Sequence, residues 1–165
     1  TKERDFTYPS SSGADLYRRS LYTFWRRTVS PANMFDASNR QACRVRQSLT
    51  STPLHALTTL NDPTWVEAAR VLAEKSLKLN TDPSAAMTIA FKRVLAREPT
   101  SDEKVVLQRA MEKQLKHFQQ NANAAQEILA VGSAPRDTSL NADQHAALTA
   151  VCLAIMNLDE ALTRQ

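Results

Sequence analysis

Apolar residues recur along this chain at helical spacing, and no stretch alternates with period two for long enough to argue a strand. Between about Asp15 and Arg27, Leu16, Leu21, Phe24 and Trp25 form an apolar face among four arginines, which predicts a helix. Ser30-Pro31 ends it, and Asn33 to Asp36 reads as a loop before a short helix near 38–46. Pro53 opens a short helix through Leu60. Asp62-Pro63 then sets an N-cap and a proline at the first helical position, where the missing N–H costs nothing. In the helix that follows, Trp65, Ala69, Leu72 and Leu79 fall on one side and Glu67, Arg70, Glu74 and Lys78 on the other, a pattern that predicts packing on one face only.

The same start recurs at Asp82-Pro83, ahead of Met87, Ala90, Phe91, Val94 and Leu95, with an end near Arg97. Thr100-Ser101-Asp102-Glu103 is a capping box, and the helix it opens carries Leu107, Ala110, Met111, Leu115 and Phe118. An Asn/Gln/Ala-rich stretch near 119–126 predicts an end or kink, with a further turn through Val131. Residues 132–141 form the clearest internal loop. A last helix is expected over Ala142 to Thr163, with Ala147, Val151, Ala154, Ile155, Leu158 and Leu162 making it the most buried element. The fold expected is all-α: an irregular bundle of about five to seven helices with no significant sheet.

The opening thirteen residues, with Pro9 and three serines, have no periodicity and read as an extended lead-in, the edge of a cut domain. A single helical domain is expected over 14–165. Within it, 14–62 is rich in Arg and aromatics, 63–131 holds amphipathic helices, 132–141 is the loop and 142–165 the buried C-terminal helix. The 20-residue spacing of the Asp-Pro starts is too short for a helix-pair repeat and does not recur.

Composition narrows the chemistry. The chain has 165 residues, and only two are glycine, Gly13 and Gly132. That excludes Gly-rich dinucleotide and phosphate loops and a nucleophile elbow, each of which needs several glycines where the backbone turns sharply. Cys43 and Cys152 are too far apart for a C-x-x-C motif, so a zinc ribbon or covalent haem within this chain is excluded; one disulfide or two buried thiols both fit. His55, His117 and His145 share no i, i+4 spacing, and no metal site is expected. The longest apolar-leaning stretch, 146–156, is too short to span a membrane, and no secretion signal stands at the start.

The formal charge of +4 is uneven: the first fifty residues carry nine Lys/Arg against four acids, and the other 115 carry twelve against thirteen. Eight of those nine are arginines, whose planar fork suits carboxylate, phosphate or sulfate. Arg18, Arg26, Arg40 and Arg46, with Asp36 and Asn61, are the best candidate constellation, able either to tie irregular backbone to the core or to face an anion.

Leu16 to Thr28 (LYRRSLYTFWRRT), followed by Met34-Phe35-Asp36-Ala37, Arg40, Cys43, Arg46, Thr52-Pro53-Leu54 and Leu60-Asn61-Asp62, resembles the uncharacterised C-terminal domain of planctomycete-specific multidomain proteins. Arg97 to Thr100 and Asn157 to Glu160 look like the same family. The resemblance implies an extracytoplasmic, secreted or periplasmic protein with a cytochrome c-like segment and a second uncharacterised domain upstream. Haem is implied only for that upstream segment, and no cofactor for this one. Because the first third holds the distinctive residues, the expected partner is the upstream domain of the same polypeptide, docked through that segment; the alternative is part of a polysaccharide-processing enzyme or an anionic-glycan-binding module using the N-terminal arginine cluster, with anionic polysaccharide as its ligand.

Other constellations read as structure. Trp25 and Trp65 sit among apolar neighbours and read as core rather than as a sugar-stacking platform. Asp159-Glu160 with Glu98 would need to face each other across a cleft to hydrolyse a glycoside, and acids near helix ends are usually caps or solvated. Nothing in the sequence brings Cys43 to His55 as a thiolate–imidazole pair. No catalytic residue is assigned, no basic recognition helix points to nucleic acid, and the expected role is a non-catalytic accessory domain.

Overall fold

The computed structural model describes residues 13–18 and 53–162. The chain divides into two compact units, 1–48 and 49–165. In the first, Gly13–Tyr17 form a 3-10 turn that starts at Gly13 with φ +60°. The turn stands where a helix was expected to begin; the rest of that helix, the 38–46 helix, Trp25 and Cys43 lie outside the described residues.

The second unit is all-α, with no strand among its described residues. Its helices are α1 (Pro53–Asn61), α2 (Pro63–Leu79), α3 (Pro83–Leu95), α4 (Ser101–Gln120), α5 (Ala122–Ala130), α6 (Ala142–Met156) and α7 (Asp159–Leu162). The caps are those the sequence announces. Asp62 accepts from the Thr64 N–H at 2.8 Å, and Asp82 from that of Ala85 at 3.0 Å. In the capping box the Glu103 N–H donates to Thr100 Oγ1 at 3.3 Å, while the Thr100 N–H donates to Glu103 Oε2 at 2.7 Å. Each bond satisfies a backbone donor that the first helical turn leaves open.

Helix α6 is the centre of the unit and packs against α2, α3, α4 and α5. Residues His145 to Thr149 are all buried, together with Val151, Cys152 and Ile155, because neighbours surround this helix rather than flank one face. The expected stripe therefore runs off its C-terminal end, where Ala154 is exposed and Leu158 is 41% exposed. Ala69 and Ala73 of α2, fully buried, let that helix approach α6 closely. Met87, Ala90 and Phe91 of α3 and Met111 and Phe118 of α4 complete the core on the faces their spacing predicts.

The C-terminal helix expected to reach Thr163 instead breaks at Asn157. The Thr59 hydroxyl of α1, 1% exposed, donates to Asn157 Oδ1 at 2.7 Å, while the Asn157 N–H closes the last turn onto Ala154 and Ile155. An asparagine held sideways ends the helix, and the acids Asp159 and Glu160 start α7.

Helix α2 carries a second correction. Arg70, placed by spacing on the solvent side, is 1% exposed, whereas Leu79, placed on the core side, is 62% exposed. Buried positions on α2 are Ala69, Arg70, Ala73, Ser76 and Leu77, a stripe rotated from the expected one because the 131–141 connection covers the polar flank. No described helix is long and apolar enough to cross a membrane.

Candidate functional site

Glu67, Arg70, Glu74 and Lys78 lie at i, i+3, i+7 and i+11 of α2, one line along the helix. That line holds the connection between α5 and α6. Arg70 Nε donates to the Val131 carbonyl at 3.2 Å and its Nη2 to the Ala134 carbonyl at 2.7 Å. Glu67 accepts from the Ser133 N–H at 3.0 Å and from the Ala134 N–H. Farther along, the Asp137 N–H donates to Glu74 Oε2 at 3.2 Å, and Lys78 Nζ sits 2.9 Å from both Glu74 and Asp137.

A connection without regular hydrogen bonds needs partners for its backbone, and these side chains supply donors and acceptors in register with it. Burial works against the Glu74 carboxylate, yet Lys78 and the Asp137 N–H together hold its pKa below the ordinary range. Lys78 and Ser139 hold Asp137 well below the usual carboxylate range, and Asp137 and Glu74 raise Lys78.

His145 faces this line from α6. Its Nε2 lies 3.1 Å from the Arg70 carbonyl, and its ring is fully buried. Burial pushes its pKa below the ordinary value; the Arg70 carbonyl and Glu74 act the other way, and the charges of Arg136 and Arg70 add to the lowering.

A second junction joins the α3–α4 turn to α7. Ala96 ends α3 in the left-handed region (φ 58°), and Arg97 turns back so that its guanidinium lies 5.0 Å from the Phe91 ring centroid. Arg97 then grips two carboxylates at once. Its bonds to Glu103 measure 2.9 and 2.7 Å, and those to Glu160 also 2.9 and 2.7 Å. Hydrogen bonds from Arg97, helped by the Thr100 N–H, lower the Glu103 pKa to about 2, and Arg97 lowers that of Glu160. Glu98 pairs instead with Lys92 at 3.2 Å. Glu98 and Glu160, two of the acids considered for glycoside hydrolysis, are thus divided between two cations, and Glu160 is held ionised, the wrong state for a general acid.

Of the constellation expected from the sequence, two members are described. Arg18 pairs with Asp15 at 2.6 Å with both side chains exposed, and Asn61 Nδ2 donates to the Leu57 carbonyl of its own helix at 2.7 Å. Neither bond reaches another element. Arg26, Asp36, Arg40 and Arg46 lie outside the described residues. Trp65 is half-buried, and Cys152 is a fully buried free thiol whose pKa burial pushes up, leaving it unreactive. Among the described residues, no three His, Cys, Asp or Glu side chains gather as around a metal ion. A shallow hollow at the α4–α5 junction, lined by His117, Gln120, Asn121, Asn123 and Glu127, contains no buried unpartnered group among the described residues.

The family described as PSD1, protein of unknown function (DUF1553), matches residues 1–111. The chain belongs to this family. The DUF1553 match takes in the whole Arg- and aromatic-rich segment, α1 to α3 and the Arg97 turn, and it ends within α4. The line of α2 that grips the connection is therefore inside the match, while the connection and Glu160 are outside it. No curated protein and no solved structure matches the chain.

The sequence missed both junctions. The Arg-Glu-Pro-Thr turn and the Asn-Leu-Asp-Glu segment both carry the family resemblance, but nothing local in the sequence shows that they meet. The signal for α2 was an arginine directly after a core alanine, Ala69-Arg70.

Proposed function

We propose that this chain is a non-catalytic helical accessory domain of a secreted, multidomain planctomycete-type protein, and that it docks on the domain upstream of it through the first third. The observation that carries this reading is the division of labour among charges. In the helical unit four carboxylates are committed to internal ties: Glu103 and Glu160 to Arg97, Glu74 and Asp137 to Lys78. The surplus of positive charge, by contrast, lies in the first fifty residues. Scaffold on one side and unbalanced arginines on the other suit a module that presents a surface rather than one that performs a reaction.

The extracytoplasmic setting and the cytochrome c-like segment upstream belong to the same reading and rest on the resemblance. Haem stays with that upstream segment. An anionic polysaccharide is the alternative ligand for Arg18, Arg26, Arg40 and Arg46. Co-purification of the chain with the separately expressed upstream domain tests the reading: a stoichiometric complex is expected, and free passage of both proteins contradicts it.

A further inference from the structure

Helix α4 packs on α6 through Leu107, Ala110, Met111, Leu115 and Phe118, which face the core. On the opposite side Val105, Arg109, Lys113, Lys116 and Gln120 follow one another at steps of three or four residues, and all five are exposed. They form one line about 22 Å long.

The line does little for the stability of the folded chain. Arg109 and Lys113, four residues apart, repel each other. Neither they nor Lys116 make an ion pair among the described residues, whereas Lys78, Lys92 and Arg97 of the same unit all do. Over 105–120 the helix carries these three cations against one acid, Glu112. Val105 and Val106, at the start of the line, are 45% and 63% exposed, so two β-branched residues with modest helix propensity bury little in return. At the other end His117 and Gln120 line the hollow of about 530 Å³ at the α4–α5 junction, with Asn121, Asn123 and Glu127.

An apolar start, a cationic middle and an amide-rich end are complementary to an acidic peptide that also carries an apolar side chain. A polysaccharide brings anions but no alkyl group for the valines. A second copy meeting this face across a two-fold axis would set cations against cations. The first fifty residues of this chain, with nine Lys/Arg against four acids, have the wrong sign.

We propose that the outer face of α4 is a docking surface for an acidic segment of another protein, whose carboxylates meet Arg109, Lys113 and Lys116 and whose apolar side chain covers Val105 and Val106. This surface is separate from the arginine-rich first third and does not rest on docking there.

The test titrates a synthetic glutamate peptide with leucine at every fourth position into the isotope-labelled full chain and follows its amide resonances. Shifts are expected to concentrate at 105–120. Arg109→Ser combined with Lys113→Ser, both exposed, is expected to weaken the apparent affinity roughly tenfold or more in a chain that still melts cooperatively. Val105→Ser combined with Val106→Ser should weaken binding of the leucine-bearing peptide but not of a peptide of glutamate alone. Shifts confined to the first fifty residues overturn the proposal while leaving docking through the first third standing. Equal affinity for the leucine-free peptide or for dextran sulfate, self-association of the chain through α4, or an unchanged affinity in the folded Arg109→Ser, Lys113→Ser chain also overturns it.

Discussion

Glu160 takes two parallel hydrogen bonds from Arg97, a residue 63 positions earlier, at 2.9 and 2.7 Å. This pair is the tie that holds the four-residue α7 to the α3–α4 turn, and its partners are half-exposed, so its worth lies in geometry more than in raw electrostatics. Glu160→Gln is expected to speed amide exchange across 159–162 while leaving α2 and α6 protected. Equal protection of α7 in variant and wild type would mean that packing alone holds it.

The same cluster gives an acid limb to stability. The folded pKa of Glu103 is about 2 and that of Glu160 is lowered, both from an ordinary value of 4.5. A carboxylate with a depressed folded pKa stabilises fully above its unfolded value, and the contribution is lost as pH falls through the folded one. Denaturant midpoints are therefore expected to decline below about pH 4.5. In Arg97→Met that decline should be shallower, because the two carboxylates then titrate nearer their unfolded values.

His145 adds a second limb at higher pH. Its folded pKa lies below the ordinary 6.5, so the unfolded chain binds the proton more readily as pH falls through that value. Stability contributed by the neutral ring is present above about pH 6.5 and is lost as pH drops toward the folded pKa. Urea melts on the two sides of that value should show it, and His145→Gln should flatten the difference. An identical slope in the variant would assign the limb to other groups.

How much of this was legible in the sequence differs by scale. The N-caps at Asp62, Asp82 and Thr100 are local chemistry, and local chemistry is written in consecutive residues. The α3 and α4 faces followed because each helix buries one side. Arg70 was misplaced because spacing alone cannot tell a polar flank facing water from one covered by a connection that begins 61 residues later, at Val131. The break at Asn157 was missed for the same reason: its cause is Thr59, on another helix. Of the candidate constellation, Arg18 and Asn61 make only local bonds, and the other four residues fall in the segment outside the described residues.

Arg70 is expected to be among the costliest side chains to lose. Arg70→Met keeps the apolar stem but strands the Val131 and Ala134 carbonyls, at about 1–3 kcal/mol for each unsatisfied acceptor. Arg70→Lys should recover part of this, since one ammonium cannot reproduce two directions of the fork. Chemical denaturation of both variants measures it, and a loss no larger than that of an ordinary surface substitution would show that the connection does not depend on this grip.

Gly132 has φ +94°, and a methyl group built on it falls 2.6 Å from Glu67 Cβ and nearer still to Cγ and Cδ. Gly132→Ala meets both strain and a side chain that is already holding Ser133. A cost of roughly 1–3 kcal/mol follows from the backbone alone. The contact adds to it, and combining Gly132→Ala with Glu67→Gly, which removes Cβ, Cγ and Cδ together, should give a smaller loss than the two separate losses together. Strict additivity would deny the contact.

The central claim is that the chain acts as a docking module through its arginine-rich first third, and sedimentation of the chain mixed with the upstream domain tests it most directly. The expected result is a complex that weakens as salt is raised and is lost when Arg18, Arg26, Arg40 and Arg46 are replaced together by serine in a chain that still melts cooperatively. No complex at tens of micromolar, or one indifferent to those four substitutions, would contradict the account.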